Sequence, residues 1–192
     1  MFKRLALVTV CIFTGSAAYA EGLDISLGSD TAQIVYLFDS DAQIGIGGSD
    51  LGVGVFFNEN DDYLLNGSIV VTGNSTGRNR ALQLGAGAKL YAGELDIPQE
   101  DTVGAVAIGG KVSYVFPSST PMAITGEIFY APDITSFGDN ENLTEFNIHF
   151  DIEIAPTTRF YIGYRNLEVE LTDSNVDYEL DDSGHVGVRF SF

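Results

Sequence analysis

Asn147-Ile148-His149-Phe150-Asp151-Ile152-Glu153-Ile154 decides the fold, because every even position is apolar and every odd one polar. A period of two sends alternate side chains to opposite faces of one strand. The alternation returns in the closing segment, where Val186, Val188, Phe190 and Phe192 alternate with His185, Gly187, Arg189 and Ser191. Working outward, similar strands are expected around Leu23 to Gly28, Thr31 to Phe38, Ile44 to Phe57, Tyr63 to Thr72, Ala81 to Ala92, Val103 to Phe116, Ala123 to Tyr130, Glu145 to Ala155 and Arg159 to Leu167. With the terminal strand that makes ten. No segment reads as a long amphipathic helix, and none has the roughly 18 unbroken apolar residues of a membrane helix.

The N-terminus is of another kind. Lys3 and Arg4 precede an apolar run from Leu5 to Phe13, followed by small residues ending in Ala18, Tyr19 and Ala20. The run is too short to span a bilayer as a helix, and Ala18-x-Ala20 suits a signal peptidase. Residues 1–20 are therefore expected to be a secretory signal peptide cut before Glu21, and residues 21–192 an outer-membrane β-barrel domain. Cys11 lies in the apolar run, without the small residues before it that a lipoprotein cleavage site needs, so it leaves with the signal. The mature chain then has no disulfide, thiolate metal site or cysteine nucleophile to rely on.

An exported chain of alternating strands, with 22 Gly, 13 Phe and 9 Tyr, reads as an all-β, antiparallel up-and-down transmembrane barrel closed by its C-terminal strand. Closure leaves no unpaired edge in lipid. The connections support it. Ala155-Pro156-Thr157-Thr158 and Phe116 to Pro121 are short and bear Pro, while Ala131 to Leu143 and Glu168 to Ser183 are long and acidic. Short periplasmic turns alternate with long external loops in such barrels, and counting back from a periplasmic Phe192 keeps that parity through eight strands. Gly28-Ser29-Asp30 would be a very tight external turn, so eight strands preceded by an N-terminal hairpin is the alternative to ten.

With the apolar face outward, lipid meets Leu82, Leu84, Val106, Ile108, Val112, Ile124, Ile128, Ile148, Ile152 and Ile162. Phe57, Tyr63, Tyr130 and Tyr164 fall near external strand ends, and Tyr114, Phe116, Phe160, Phe190 and Phe192 near periplasmic ones, as two interfacial belts. The inward face collects a polar network of Lys89, Lys111, Glu127, His149, Asp151, Glu153, Arg159, Arg165 and Arg189, together with Gln83, Ser113, Asn147 and His185. Val186, Val188, Phe190 and Phe192 are the expected membrane-assembly signal, read by the barrel-assembly machinery.

Net charge is −18, and −20 once Lys3 and Arg4 are gone, which argues against a nucleic-acid partner because phosphate binding needs clustered bases. Eighteen carboxylates are expected in the external connections: Glu59, Asp61, Asp62, Glu94, Asp96, Glu100, Asp101, Asp133, Asp139, Glu141, Glu145, Glu168, Glu170, Asp173, Asp177, Glu179, Asp181 and Asp182. Neither Asp173-Ser174-Asn175-Val176-Asp177 nor Asp139-Asn140-Glu141-Asn142 has EF-hand spacing, so diffuse divalent cations at a lipopolysaccharide surface fit them better than a defined site. His149, Asp151 and Glu153 share a strand face but stand roughly 6.5–7 Å apart in succession, so a metal would need ligands from other strands, and a satisfied polar lumen is the simpler reading. Gly85-Ala86-Gly87 and Gly109-Gly110 lie in strands and do not form a phosphate loop.

The stretches Gly126-Glu127-Ile128-Phe129-Tyr130-Ala131-Pro132-Asp133 with Phe137, Tyr161-Ile162-Gly163-Tyr164-Arg165, and the closing His185 to Phe192 resemble the YfaZ family of outer-membrane proteins. Leu23 to Leu27 with Asp30 to Gln33, and Asn58 to Tyr63, are similar to the same family. The resemblance implies an outer-membrane barrel in contact with membrane lipid and lipopolysaccharide. It supplies no activity, cofactor or catalytic residue. The functional expectation is a structural or binding barrel or a narrow cation-preferring pore. A lipid-modifying enzyme is one alternative, although no Gly-x-Ser-x-Gly occurs and both histidines point inward; a soluble periplasmic lipid-binding barrel is the other.

Overall fold

The computed structural model describes residues 20–38, 49–74, 81–97, 102–172 and 177–192. The expected signal peptide up to residue 19, Glu100, Asp101 and Asp173 lie outside the described residues. In chain order the strands are β1 (Ala20–Leu27), β2 (Thr31–Phe38), β3 (Ser49–Asn58), β4 (Tyr63–Asn74), β5 (Leu82–Glu94), β6 (Thr102–Val115), β7 (Met122–Ala131), a short β8 (Ser136–Gly138), β9 (Asn140–Ala155), β10 (Thr158–Leu171) and β11 (Asp177–Ser191).

All but β8 join one closed antiparallel ring of ten strands. The seam is β1 against β11, from Gly22↔Ser191 to Leu27↔Val186. The hairpin β1–β2 is thus part of the ring, and the eight-strand alternative fails. Gly28-Ser29-Asp30 does turn tightly, with the Gly28 amide donating to Thr31 O at 2.8 Å. β1 starts and β11 ends at the same rim, here the near end; the five connections expected to be external all lie at the far end.

The short β8 pairs with the far end of β6 through Val103↔Gly138, Gly104↔Phe137 and Ala105↔Ser136, above the point where β7 stops. A single 3-10 turn, Asp133–Thr135, carries the chain there from Ala131 and Pro132. Gly138 has φ +92°, and a Cβ there would lie 2.5 Å from Thr102 O, so only glycine makes this return.

Outside the ring, Leu84, Ile108, Val112, Ile128, Ile148 and Ile162 are exposed, as the outward phase requires. That apolar wall ends at Tyr164 on β10 and Phe146 on β9. Beyond it the phase inverts: Leu167, Val169 and Leu171 point inward and are buried, while Glu168 and Glu170 face out. An apolar outer face suits lipid, whereas a polar outer face with apolar residues turned in suits water.

This inversion corrects two expected loops. Asn140 to Leu143 belong to β9, and Glu168 to Leu171 and Asp177 to Ser183 are strand in β10 and β11. Strands of 14–16 residues are longer than the roughly 9–11 that a bilayer crossing requires.

Asp62 braces this far end. Buried to 1%, it accepts from Asn58 Nδ2 at 2.8 Å, Tyr178 Oη at 2.8 Å and the Asp96 amide at 2.7 Å. Burial, and then the Asp62 hydrogen bond, push the Tyr178 hydroxyl from 10.0 up to about 12. The fold holds the neutral phenol, so its contribution is complete below pH 10 and is lost as pH rises through about 12. Tyr178→Phe should lower stability by about 0.5–1 kcal/mol at neutral pH and flatten the loss between pH 9 and 12. Unfolding midpoints across that range test this; parallel alkaline losses in wild type and variant would contradict it.

Candidate functional site

The lumen is divided along its axis. In its far half Phe56, Leu64, Phe129, Leu143 and Val169 are each at most 1% exposed and pack with Val103, Ala105, Leu167, Leu171 and Leu180 into one core, against which Ile97 and Tyr178 lie. These residues come from β3, β4, β6, β7, β9, β10 and β11, so the plug is drawn from most of the wall. A fully buried Leu or Phe contributes about 1.5–3 kcal/mol, and this core therefore stabilises the barrel as it fills it.

Directly beneath the plug lie two charged groups. Lys89 Nζ reaches Glu145 Oε2 at 2.8 Å and Glu127 Oε2 at 3.4 Å, and sits 4.3 Å from the centre of the Phe129 ring. Tyr91 donates its hydroxyl to Glu145. Across the lumen, Arg165 Nε meets Asp181 Oδ2 at 2.6 Å, Nη1 donates to Gln33 Oε1 at 2.5 Å, and the guanidinium lies 5.0 Å from the Phe56 ring centre. Asp181 also accepts from Ser183 at 2.6 Å and Thr31 at 3.3 Å.

Nearer the termini, Arg189 Nε pairs with Asp24 Oδ2 at 2.7 Å, and Tyr161 Oη donates to Asp24 Oδ1 at 2.5 Å. Lys111 pairs with Asp50, and Arg159 lies 3.6 Å from Glu153. All five basic residues expected inside are thus paired. His149 and His185 flank the Tyr161 ring at centroid distances of 5.4 and 5.8 Å. Gly187 makes room for that ring: a Cβ there would stand 2.1 Å from Tyr161 Cζ.

What remains is a cavity of about 730 Å³ running from the plug to the near end. Its roof is Phe56, Leu64, Tyr91 and Arg165; its rim includes Asp50, Asn74, Pro121, Met122 and Arg159. Lys89, Lys111, Glu127, His149, Asp151, Arg159, Arg165 and Arg189 line it, as the strand phase requires, and Glu153 joins the rim through Arg159. Charged residues line it on most sides, and Val35, Leu37 and Val70 add an apolar part of the wall on β2 and β4.

Three carboxylates expected in external loops are inside. Glu145, Asp181 and Asp62 are 5%, 3% and 1% exposed, each held by donors named above. Glu145 continues the odd phase of Asn147 and His149, a signal present in the sequence. Asp181 likewise continues the odd phase of His185 and Ser183, and the register shift falls just beyond it, where Glu168 pairs with Glu179. Among the described residues no three His, Cys, Asp or Glu side chains are grouped to hold a metal, and the buried His185 Nδ1 has no hydrogen-bond partner.

The YfaZ family model, described as YfaZ precursor, matches residues 3–192. The chain belongs to the YfaZ family. A search of the curated proteins finds no match. A precursor family and a closed ten-strand barrel together fit an exported outer-membrane barrel protein. In this YfaZ chain the Tyr130-Ala131-Pro132-Asp133 motif is where β7 ends and the 3-10 turn leads to β8.

Proposed function

We propose that this YfaZ barrel sits in the outer membrane with its termini at the periplasmic rim and serves as a closed barrel carrying a periplasm-facing polar cup. Its role is structural or binding. The observation behind this is the far-end core, whose Phe56, Leu64, Phe129, Leu143 and Val169 are at most 1% exposed. Ions crossing it would meet a dry apolar barrier, and the cations beneath are already paired. The narrow cation-preferring pore is the competing reading, favoured by the far rim. There Glu168↔Glu179 and Glu170↔Asp177 face each other in register, and burial followed by Asp177 and Glu179 raises the Glu168 carboxyl above its usual range.

Refolded protein in a planar bilayer tests the reading: no resolved channels are expected, and cation-selective steps would replace the cup with a pore. Release of fatty acid from lipopolysaccharide by the same preparation would favour the lipid-modifying alternative. Outer-membrane lipid and lipopolysaccharide are the partners of the apolar band, and diffuse divalent cations suit the facing carboxylates. The assembly machinery would read Val186, Val188, Phe190 and Phe192 on the outward face of β11.

A further inference from the structure

Arg159 on β10 and Arg189 on β11 are register partners, and both line the cup close to its open end. Directly opposed residues of an antiparallel pair hold their Cβ atoms about 4.5–5.5 Å apart, where like charges destabilise the sheet. The neighbours along the same row are Glu153 on β9 and Asp24 on β1. Charges therefore run minus, plus, plus, minus, with the two cations adjacent and the acids on their far sides.

Those acids leave much of each guanidinium unengaged. Arg189 gives Nε to Asp24 at 2.7 Å, while Arg159 stands 3.6 Å from Glu153, beyond hydrogen-bond length. The side chains are 40% and 51% exposed, so several of the five N–H donors on each fork face the cavity. An anion held between the forks is attracted by both cations, and Asp50, whose charge also acts on Arg189, is paired with Lys111. Two adjacent planar forks suit a tetrahedral oxyanion carrying up to two charges.

We propose that Arg159 and Arg189 form a phosphate-binding site at the mouth of the cup, a ligand class for the binding role and resting on that reading. The phosphate has two sources compatible with this geometry. One is free inorganic phosphate. The other is a lipid phosphomonoester whose tail lies on Val35 and Leu37, which extend the cavity wall next to Asp24.

Titration calorimetry on refolded full-length protein in detergent, with inorganic phosphate and with dihexanoyl phosphatidic acid, tests the site. Wild type should bind at least one probe, and Arg159→Gln should weaken that binding by about tenfold or more. Arg189→Gln leaves Asp24 short of its cation, so its fold is first checked by heat-modifiable gel mobility; the half-exposed Arg159 is the primary variant. Binding of inorganic phosphate identifies the free anion as sufficient, and binding of phosphatidic acid alone identifies the lipid. Failure of both probes with wild type, or equal affinity in Arg159→Gln, overturns the site. Bilayer conductance of the same preparation separates the two ideas: a silent barrel that ignores phosphate refutes only the site, whereas a conducting one refutes the closed cup.

Discussion

Arg165→Met should destabilise the barrel by about 3–5 kcal/mol, because it leaves a carboxylate buried without its cation. The Arg165 and Asp181 side chains are 2% and 1% exposed, so neither has much solvent contact with which to replace its partner. The loss extends to Gln33, whose Oε1 accepts from Nη1, and to the Phe56 ring over which the guanidinium lies. The double variant Arg165→Met, Asp181→Leu should regain most of that stability, since an apolar pair of similar volume commonly replaces a buried ion pair at little cost. Recovery stays partial because Thr31 and Ser183 lose the acceptor they share. Urea midpoints in lipid vesicles, followed by heat-modifiable mobility, measure both. A single variant within 1 kcal/mol of wild type, or a double variant no better than the single, would show that the pair carries little of the fold.

Arg165 also illustrates how far the sequence reached. Alternation in 147–154 and 185–192 carries the closed barrel, because a period of two is dictated by the pleat and the membrane tolerates one apolar face. It also assigned the nine lumen residues, including Arg165. Their partners were harder to find. Asp181 sits in a stretch whose outward residues are acidic and Glu145 follows the run Asp139-Asn140-Glu141-Asn142, and acidic composition reads as solvated loop. There Glu168, Glu170 and Glu179 lie on the outside while Leu167, Val169 and Leu180 supply the core. The alternation persists with its sign reversed. A reading tied to one phase loses both the strand extensions and the plug, because the plug is made of the residues that the membrane phase would send outward. Asp62 had no such signal at all: besides Asn58, four residues away, its burial depends on Asp96 and Tyr178, which are distant in sequence.

Phe129→Ala, Leu143→Ala and Leu64→Ala combined should turn a silent barrel into one with resolved conductance. Each truncation in a dry core costs about 2–5 kcal/mol, and because the three share one cluster their effects will not simply add. The single Phe129→Ala variant should therefore lose stability and stay silent. Neighbouring side chains can collapse into one vacancy but not into three spread over β4, β7 and β9, and a closed ring of ten strands holds its backbone diameter when its filling is removed. Water entering from the far end would then reach Lys89, Glu127 and Glu145, so the first ions to pass would cross a charged layer and the conductance would fall as that layer is neutralised. A folded triple variant that remains silent would place the block in the Lys89–Glu145 and Arg165–Asp181 layer instead, and the apolar core would then be a source of stability with no part in sealing the lumen.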